Sequence, residues 1–395
     1  MRFHQWMTCL STSFILAVNP LYAETGETLE QLQVPQCLAA KLPQSYKVLA
    51  ENEEFKIIEL VATELTRLAQ LADEVHCGRF VNVSHRLSAK TLQTKQETAN
   101  QLLAKPLIAS PFKIYEIKHQ EAVNAALAKV EPDNIIQTLT HLTSYYNRSA
   151  TSRTGVETAA WLKAKFEGMA IEQGRHDTAT YFVGTGWYKQ PSLVTVIGKN
   201  INAPAIVIGA HMDTLDGRMP GAGDDGSGSA SVMEMARIML ASPTELKRPI
   251  YFIWYAAEER GLVGSQYVVE DFMDKAIPVK AAIQFDMTGF RNDANDPTMW
   301  VFRDYTDKPL SDFIATLIKN YINVPVAFSR CGYGCSDHAS WMAEGIPAAF
   351  PCETSFEAHN PYIHSSADTM SLLSSEHMAN FTKLGLAFAI ELASE

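Results

Sequence analysis

Three short apolar runs in the middle of the chain each lead into residues that can bind a metal ion. The runs cover residues 204–210, 249–257 and 281–285, and their continuous apolar character predicts strands buried on both faces. The residues that follow them are His211, Met212 and Asp213, then Glu258 and Glu259, then Asp286. In an open α/β sheet, ligands bind beyond the carboxyl ends of the strands, so we expect these side chains to line one crevice. The pattern predicts a metal site there.

From about residue 119 onward, segments of helical and strand character alternate. Helices are predicted at residues 120–129, 132–146, 154–168, 229–241 and 261–275, and a further strand at 192–197. Strands separated by helices are typical of a mostly parallel sheet packed between helical layers. We therefore predict an α/β fold, a three-layer α/β/α sandwich with a mostly parallel mixed central sheet, for a domain at residues 116–395.

The N-terminal part of the chain has a different texture. Residues 1–23 have the features of a secretory signal peptide, with Arg2, an apolar stretch and a small-residue cleavage site, so we expect the mature chain to be secreted, outside the cell or in the periplasm. Residues 54–76 carry apolar residues at helical spacing, and the polar stretch 84–118 resembles a linker. We interpret residues 24–115 as a pro-region with a linker; a permanent N-terminal domain is the alternative.

Composition excludes some classes of function. The 395 residues carry a formal net charge of −11, which argues against nucleic acid as a partner, and beyond the N-terminus no apolar run is long enough to span a membrane. Five cysteines follow the predicted signal, in a compartment where disulfides persist: Cys37, Cys77, Cys331, Cys335 and Cys352. Because five is odd, at least one thiol is left over.

A glycine-rich loop at residues 220–228 follows the first capped strand and can present Asp224 or Asp225 at a fixed position. Two acidic residues and the absence of a following Lys-Ser/Thr disfavour phosphate binding. A metal site here needs a further histidine, and both His359 and His364 are available downstream. The chemistry alone does not choose between Asp224 and Asp225, or between His359 and His364.

These motifs together resemble the bacterial leucyl aminopeptidases with two co-catalytic zinc ions, over the chain from about His119 to Glu395. The matching segments are GAHMDT at 209–214, PGAGDDGSG at 220–228, YAAEERGLVGSQ at 255–266, FDMT at 285–288, CGYGCSDHASW at 331–341 and NPYIHSSADT at 360–369. The resemblance implies a fold of the zinc-exopeptidase type and two Zn²⁺ per chain. It implies five metal ligands: His211, Asp224, Glu259, Asp286 and His364.

The resemblance also implies how these residues share the work. Asp224 bridges the two ions, Glu259 and His364 hold one, and Asp286 and His211 hold the other. Neighbouring residues at a strand end point in opposite directions, so one of Glu258 and Glu259 ligates and the other performs acid–base work. Spacing leaves the order open, and the resemblance makes Glu258 the general base. Asp213 is expected to orient His211, and Tyr333 to donate to the developing oxyanion.

A substrate pocket follows from the same resemblance. Its expected residues are Met287, Cys331, Cys335, Phe350, Phe356 and Ile363. Cys331 and Cys335 are expected to form a disulfide, with Cys37 and Cys77 as the second pair, and the Asp224–Asp225 peptide bond is expected to be cis. Such a pocket favours Leu-like N-terminal residues of peptides.

The prediction is therefore a secreted metallo-aminopeptidase that acts on peptides through a hydroxide shared by two zinc ions, with a pro-region acting in cis and a monomeric chain. Two alternatives stay open. One is another enzyme of the same clan, a glutaminyl cyclase or a carboxypeptidase-like hydrolase. The other is a non-catalytic binding domain on the same fold. A serine hydrolase is disfavoured, because residues 334–338 lack the closing Gly of a nucleophile elbow.

Overall fold

The computed structural model describes residues 28–42, 46–75, 78–87, 91–104 and 113–395. The predicted signal peptide and Cys77 lie outside these residues. Within them, no helix is both long and apolar enough to cross a membrane.

The described residues form the following strands and helices. In chain order the strands are β1 (Leu29–Pro35), β2 (Lys47–Glu51), β3 (Phe55–Val61), β4 (Val81–Asn82), β5 (Thr178–Thr185), β6 (Tyr188–Ile197), β7 (Ala205–His211), β8 (Ile250–Tyr255), β9 (Val279–Gln284), β10 (Met299–Phe302), β11 (Val326–Ser329), β12 (Ala348–Ala349) and β13 (Pro351–Cys352). The helices are α1 (Gln36–Ala39), α2 (Leu65–Val75), α3 (Ser84–Leu87), α4 (Leu92–Ala104), α5 (Gln120–Leu127), α6 (Pro132–Thr143), α7 (Arg153–Glu172), α8 (Gly228–Leu240), α9 (Val263–Asp274), α10 (Lys308–Leu317), α11 (His338–Ala343) and α12 (Ser375–Ala393).

A six-stranded sheet in the order β12-β9-β7-β8-β6-β5 forms the centre of the larger part of the molecule. The pairs β12–β9, β9–β7 and β7–β8 are parallel, whereas β8–β6 and β6–β5 are antiparallel. The predicted mostly parallel mixed sheet is confirmed. Its three capped strands, β9, β7 and β8, are direct neighbours, which places the ends of all three at one edge.

Both faces of this sheet are buried. In β7, Ile208 packs in a cluster that includes Phe388 of α12, whereas its neighbour Val207 packs in a second cluster with Phe272 of α9 and Trp341 of α11. Successive strand residues point to opposite faces, so the two clusters are the cores above and below one sheet. This confirms the three layers and explains why the strand runs are apolar throughout.

The helices predicted between the strands correspond to α5, α6, α7, α8 and α9. Helix α12 was not predicted. Nearly all of its residues are buried, so it lacks the polar face that makes a surface helix recognisable from sequence.

The N-terminal lobe, which we define as the described residues between 28 and 104, has its own antiparallel sheet in the order β2-β3-β1-β4. The helical pattern predicted over residues 54–76 was wrong in its first half, because residues 55–61 form strand β3 and only Leu65–Val75 is helical. Ile57 and Ile58 lie in separate apolar clusters, because adjacent strand residues face opposite ways. Apolar residues on both faces of β3 gave a sequence pattern that resembles the spacing of an amphipathic helix.

The polar stretch predicted as a linker also contains structure. Helix α4 occupies Leu92–Ala104 and buries Ala99, while Lys95 contacts Glu59 of β3 at 2.8 Å. Its polar composition reflects a helix with one narrow buried edge. The stretch is therefore part of the N-terminal lobe up to residue 104.

A small third sheet, in the order β11-β10-β13, lies beside the end of the central sheet. Strand β10 pairs in parallel with β11 and antiparallel with β13. This places the segment around Phe350 and Cys352 next to the loop that follows β11.

Candidate metal centre

The crevice at the carboxyl ends of β7, β8 and β9 contains the predicted metal ligands. His211 ends β7, Glu259 lies in a single helical turn after β8, and Asp286 follows β9. All three are nearly inaccessible to solvent. The neighbouring strands thus bring together side chains that lie far apart in sequence.

Asp224, from the glycine-rich loop, lies between the two histidines. Its Oδ1 is 2.9 Å from Nε2 of His211 and its Oδ2 is 2.9 Å from Nε2 of His364. His364 is the histidine that joins the site, whereas Nδ1 of His359 lies 2.7 Å from the carbonyl oxygen of Phe356. One carboxylate with an oxygen towards each histidine has the geometry of a bridge.

The ligands divide into two sides around Asp224. On the His211 side, Nε2 of His211 is 3.5 Å from Oδ1 of Asp286. On the His364 side, Nε2 of His364 is 3.3 Å from Oε2 of Glu259. Asp224, Glu259 and His364 form one group of potential metal ligands whose atoms converge.

Asp225 also lies close enough to His211 and Asp286 to be a ligand by distance alone. Its oxygens, however, accept hydrogen bonds from the backbone amides of His211, Gly228 and Met287 at 3.2, 2.8 and 3.1 Å. A carboxylate occupied in this way ties the loop to the strand ends, so Asp224 has the oxygens that could hold a metal, and Asp225 supports the loop. The peptide bond between the two is cis, as expected.

The donor set fits zinc. Two imidazoles and three carboxylates are common zinc ligands, and adjacent ligand atoms around a tetrahedral zinc with bonds of roughly 2.0–2.1 Å lie about 3.3 Å apart. The separations of 2.9–3.5 Å between ligand atoms are close to this value. Six buried carboxyl groups lie in this crevice, counting Asp213, Asp225 and Glu258, and cations nearby would stabilise their charge.

Asp213 anchors the carboxylate pair. Its two oxygens accept hydrogen bonds from the amides of Glu258 and Glu259 at 3.0 and 3.2 Å. Its Oδ1 is also 3.5 Å from Nδ1 of His211, longer than a hydrogen bond but on the side needed to orient the ring. Glu258 is buried in the crevice and belongs to neither group of converging ligand atoms.

The surroundings shift the pKa of Glu258 and that of Glu259 in opposite directions. Burial raises the pKa of Glu258 well above its ordinary value, with Asp337, Asp286 and Glu259 adding to the effect and His211 opposing it. Burial also opposes ionisation of Glu259, but His364 and Arg79 outweigh it and lower the pKa of Glu259 to about 2. Of the pair, Glu258 is the one whose surroundings favour holding a proton.

The two histidines and Asp224 stabilise one another's charge. Burial lowers the pKa of His211, but Asp286 and the hydrogen bonds of nearby carboxylates raise it well above its usual range. The same balance, with Glu259 as the main opposing charge, raises the pKa of His364. Burial works against the charge on Asp224, yet the imidazoles hold its pKa well below the ordinary value.

Two residues outside the glycine-rich loop bind its backbone and were not predicted. Arg148 is fully buried and donates to the carbonyl oxygens of Met212, Leu142, Pro220 and Gly221. Asp368 accepts hydrogen bonds from the amides of Gly223 and Asp224. Asp368 lies in the motif at 360–369, so its position was visible in the sequence, whereas nothing in the sequence marks Arg148.

An apolar cluster adjoins the metal ligands. It contains Met287, Cys331, Cys335, Phe350 and Phe356 from the predicted pocket, together with Phe302, Tyr333 and Cys352. Ile363 is not part of it. Cys331 and Cys335 form the predicted disulfide, with Cα atoms 6.2 Å apart. Cys37 is disulfide-bonded too, but the predicted pairing with Cys77 stays a prediction.

Tyr333 belongs to this apolar cluster. Burial raises the pKa of its hydroxyl, Arg79 opposes this shift, and Glu258, Asp73 and Asp286 add to it. Cys352 keeps a buried free thiol, and its Sγ lies 3.6 Å from the carbonyl oxygen of Asp286.

The N-terminal lobe reaches into the centre, which the sequence did not predict. Oδ2 of Asp73 is 2.7 Å from Nδ1 of His364. Nη1 of Arg79 donates to Oε2 of Glu259 at 2.8 Å and lies 3.1 Å from Nε2 of His364. Both residues therefore contact the His364 side.

The chain is similar to known peptidases. A model of Peptidase family M28 matches residues 193–389. Leucine aminopeptidase 1 of Coccidioides posadasii is 36% identical over 294 residues, which cover 70% of this chain and 75% of that protein.

Two solved structures match more of the chain. The Legionella pneumophila LapA aminopeptidase is 68% identical, covers 93% of this chain and 99% of its own, and has a TM-score of 0.90. LapB from Legionella pneumophila is 45% identical, with coverages of 93% and 100% and a TM-score of 0.88. Because 93% is more than residues 116–395 alone, these likenesses extend into the N-terminal lobe. These relatives support a metallo-aminopeptidase, and the chain belongs to peptidase family M28.

Proposed function

We propose that the protein is a zinc aminopeptidase that binds two ions and removes large apolar residues, Leu above all, from the N-termini of peptides. The observation that supports this most directly is Asp224, which offers one oxygen to each of two histidines, each paired with a further carboxylate. A single-metal site would not need this duplication. In two-metal sites of this kind the bound zinc polarises the scissile carbonyl and lowers the pKa of a water.

Glu258 is the general base in this proposal. Its carboxyl group accepts the proton of the attacking water and delivers it to the amine that leaves. Its backbone amide is fixed by Asp213, so the carboxyl keeps its place while its protonation changes. Tyr333 donates its hydroxyl to the oxygen of the carbonyl under attack, where negative charge develops.

The apolar cluster around Phe350 and Phe356 supports the preference for large apolar residues. Burying a Leu, Met or Phe side chain contributes roughly 1.5–3 kcal/mol relative to leaving it in water. The disulfide between Cys331 and Cys335 fixes one wall, and with it the position of Tyr333. A charged side chain in this cluster would lose its hydration without gaining a partner.

We also propose that the chain is exported and that residues 24–115 restrain or assist the enzyme until they are cut away. The contacts of Asp73 and Arg79 with the metal ligands support an influence on activity. Limited proteolysis should then raise activity and leave a stable C-terminal fragment. A full-length protein that is already fully active and resists cutting would instead show that the N-terminal lobe is a permanent domain. The match to LapA, which covers 93% of this chain, is compatible with that outcome.

The function as a whole is tested by metal analysis together with a panel of aminoacyl anilides. We expect two zinc per chain, highest activity on leucyl anilide, loss of activity with a chelator and its return with zinc. An N-acetylated leucyl anilide is the control and should not be cleaved, because the free amine is absent. One zinc per chain with cyclisation of N-terminal glutamine would favour the glutaminyl cyclase, and activity that survives chelation would contradict a metalloenzyme.

A further inference from the structure

Arg79 places a positive charge among atoms that would bind zinc on the His364 side. Its Nη1 is 2.8 Å from Oε2 of Glu259 and 3.1 Å from Nε2 of His364, and these two atoms are themselves 3.3 Å apart. The side chain of Glu259 is 1% exposed and that of Arg79 is 17% exposed, so little water separates the charges. The guanidinium thus neutralises the carboxylate that the metal would otherwise neutralise.

A zinc ion and this guanidinium nitrogen cannot both have favourable positions. Zinc bonded to both ligand atoms at roughly 2.0–2.1 Å would lie within about 4 Å of Nη1 on either side of the line between them. On the near side the two would overlap, and on the far side a dication would face a cation. Arginine cannot escape by losing its proton, because it stays charged in proteins. Zinc binding on this side therefore requires Arg79 to withdraw.

The hydrogen bonds of Arg79 show that withdrawal is feasible. Within the described residues, its buried Nε and Nη2 atoms have no hydrogen-bond partner. Arg148, by contrast, uses Nε, Nη1 and Nη2 to donate to four backbone carbonyls. Arg148 is bound as a permanent part of the scaffold, whereas the side-chain hydrogen bonds of Arg79 within the described residues reach only Glu259 and His364.

The backbone around Arg79 lies directly on the site. Gly78 has φ of +94°, and a Cβ atom there would lie 2.9 Å from Cδ1 of Tyr333. Phe80 packs beside Gly261, and the amide of Asn82 donates to the carbonyl oxygen of Gly261 at 2.9 Å. The segment that carries Arg79 therefore covers Tyr333 and the turn that follows Glu259 while Arg79 is inserted.

We propose that the N-terminal lobe gates the His364 side of the metal centre, with Arg79 as a cation that zinc must displace. The His211 side has no contact of this kind from the lobe among the described residues, so it loads independently. Loading of the His364 side then moves the Arg79 segment off Tyr333 and opens the path to the pocket. The identity of the displacing metal rests on the proposed function, but the competition itself does not require catalysis.

The first test measures zinc binding by full-length, metal-free protein in competition with a chromogenic chelator, without substrate. We expect the wild type to bind one equivalent tightly and a second more weakly. Arg79→Ala should tighten the second by at least about tenfold, the size of effect that neighbours of metal ligands commonly have, and leave the first unchanged. Arg86→Ala is the matched control, because Arg86 joins the same lobe to Glu344 at 2.9 Å, outside the ligand set. Unchanged or weaker zinc binding by Arg79→Ala would overturn the proposal.

The second test needs no variant and so does not depend on how Arg79→Ala folds. Hydrogen–deuterium exchange of wild-type protein should rise on addition of the second zinc equivalent in residues 78–82, which carry Arg79. Exchange that stays constant or falls there would contradict the gate. A protein that binds two zinc ions in this pattern but cleaves no aminoacyl anilide would refute the proposed function and leave the gate standing. A protein that cleaves aminoacyl anilides but binds two zinc ions equally tightly would support the proposed function and refute the gate.

Discussion

The two sides of the metal centre have the same kinds of ligand but different neighbours. On the His211 side, the carboxylate next to the histidine's second nitrogen is Asp213, from the same loop, at 3.5 Å. On the His364 side, that carboxylate is Asp73, from the N-terminal lobe, at 2.7 Å, and Arg79 of the same lobe contacts Glu259. One side is completed by residues from 113–395 alone, and the other also contacts the N-terminal lobe.

In the proposed two-metal site, this difference would let the two ions bind in separate steps. The His211 side is built on the neighbouring strands β7 and β9. The His364 side also depends on where the lobe lies. Changes that act on only one side are the means of testing this division.

The largest effect is expected at Glu258, which belongs to neither the His211 side nor the His364 side of the centre. Glu258→Gln should keep both zinc ions and lower kcat by about 10²- to 10⁴-fold, because only the proton transfer is lost. Glu259→Gln should instead weaken zinc on the His364 side first. Metal analysis and kinetics of the two variants check this, and loss of zinc from Glu258→Gln with retention by Glu259→Gln would reverse the two roles.

A smaller effect is expected from Asp213→Asn, which should act mainly on the side that the lobe does not touch. Because Asp213 also accepts a hydrogen bond from the amide of Glu259, a lesser effect is expected on the other side. Loss of the charge next to Nδ1 of His211 should lower zinc affinity on the His211 side by about 10- to 100-fold. Asp216→Asn is the control in the same loop, because Asp216 contacts Ser149, Thr151 and Arg260 instead of a metal ligand. Zinc titrations that show weakening only of the other site would break the comparison.

The smallest effect concerns the scaffold that both sides share. Burial lowers the pKa of His338 to about 3 and that of His377 to about 4. Because these values lie below the unfolded pKa of about 6.5, each histidine's contribution to stability is complete above that pH and is lost as the pH falls towards the folded value. Each should reduce the free energy of unfolding by about 1.4 kcal/mol per pH unit in that window.

His338→Phe should make this pH dependence less steep, since the ring stacked on Phe350 at 4.7 Å would no longer titrate. Denaturant unfolding of the metal-free protein at pH 5 and pH 7 measures the difference. An unchanged slope would show that His338 is protonated without unfolding. The metal-free form is used because protonation of the ligands would otherwise dominate.

The sequence predicted the part of the site that is built from strand ends. Continuous apolar runs marked β7, β8 and β9, and the residues after them form the crevice, because parallel strands end at one edge. Spacing alone left Asp224 and Asp225 open, and the resemblance chose Asp224; the structure adds that Asp225 accepts hydrogen bonds from three amides. His364 was likewise chosen over His359 by the resemblance, and its Nε2 lies 2.9 Å from Asp224.

Contacts between distant segments were beyond prediction. Arg79 and His364 are 285 positions apart, and neither the composition of the lobe nor its periodicity indicates that they meet. In the lobe itself, the buried pair Ile57 and Ile58 imitated a helical stripe. Periodicity identifies an element most clearly when one face is buried. Strand β3 has buried residues on both faces, and α12 is buried along nearly its whole length, so neither shows a single apolar face.

The single carboxylate of Asp213 also limits how this enzyme can change. Because its two oxygens hold the amides of both Glu258 and Glu259, the spacing between the proposed base and the neighbouring ligand is set by one residue. A substitution that shifts the ligand to suit a larger or smaller metal ion would shift the base as well. In the proposed mechanism, metal preference and proton transfer would therefore change together. A variant with a new metal would need a compensating change at Asp213.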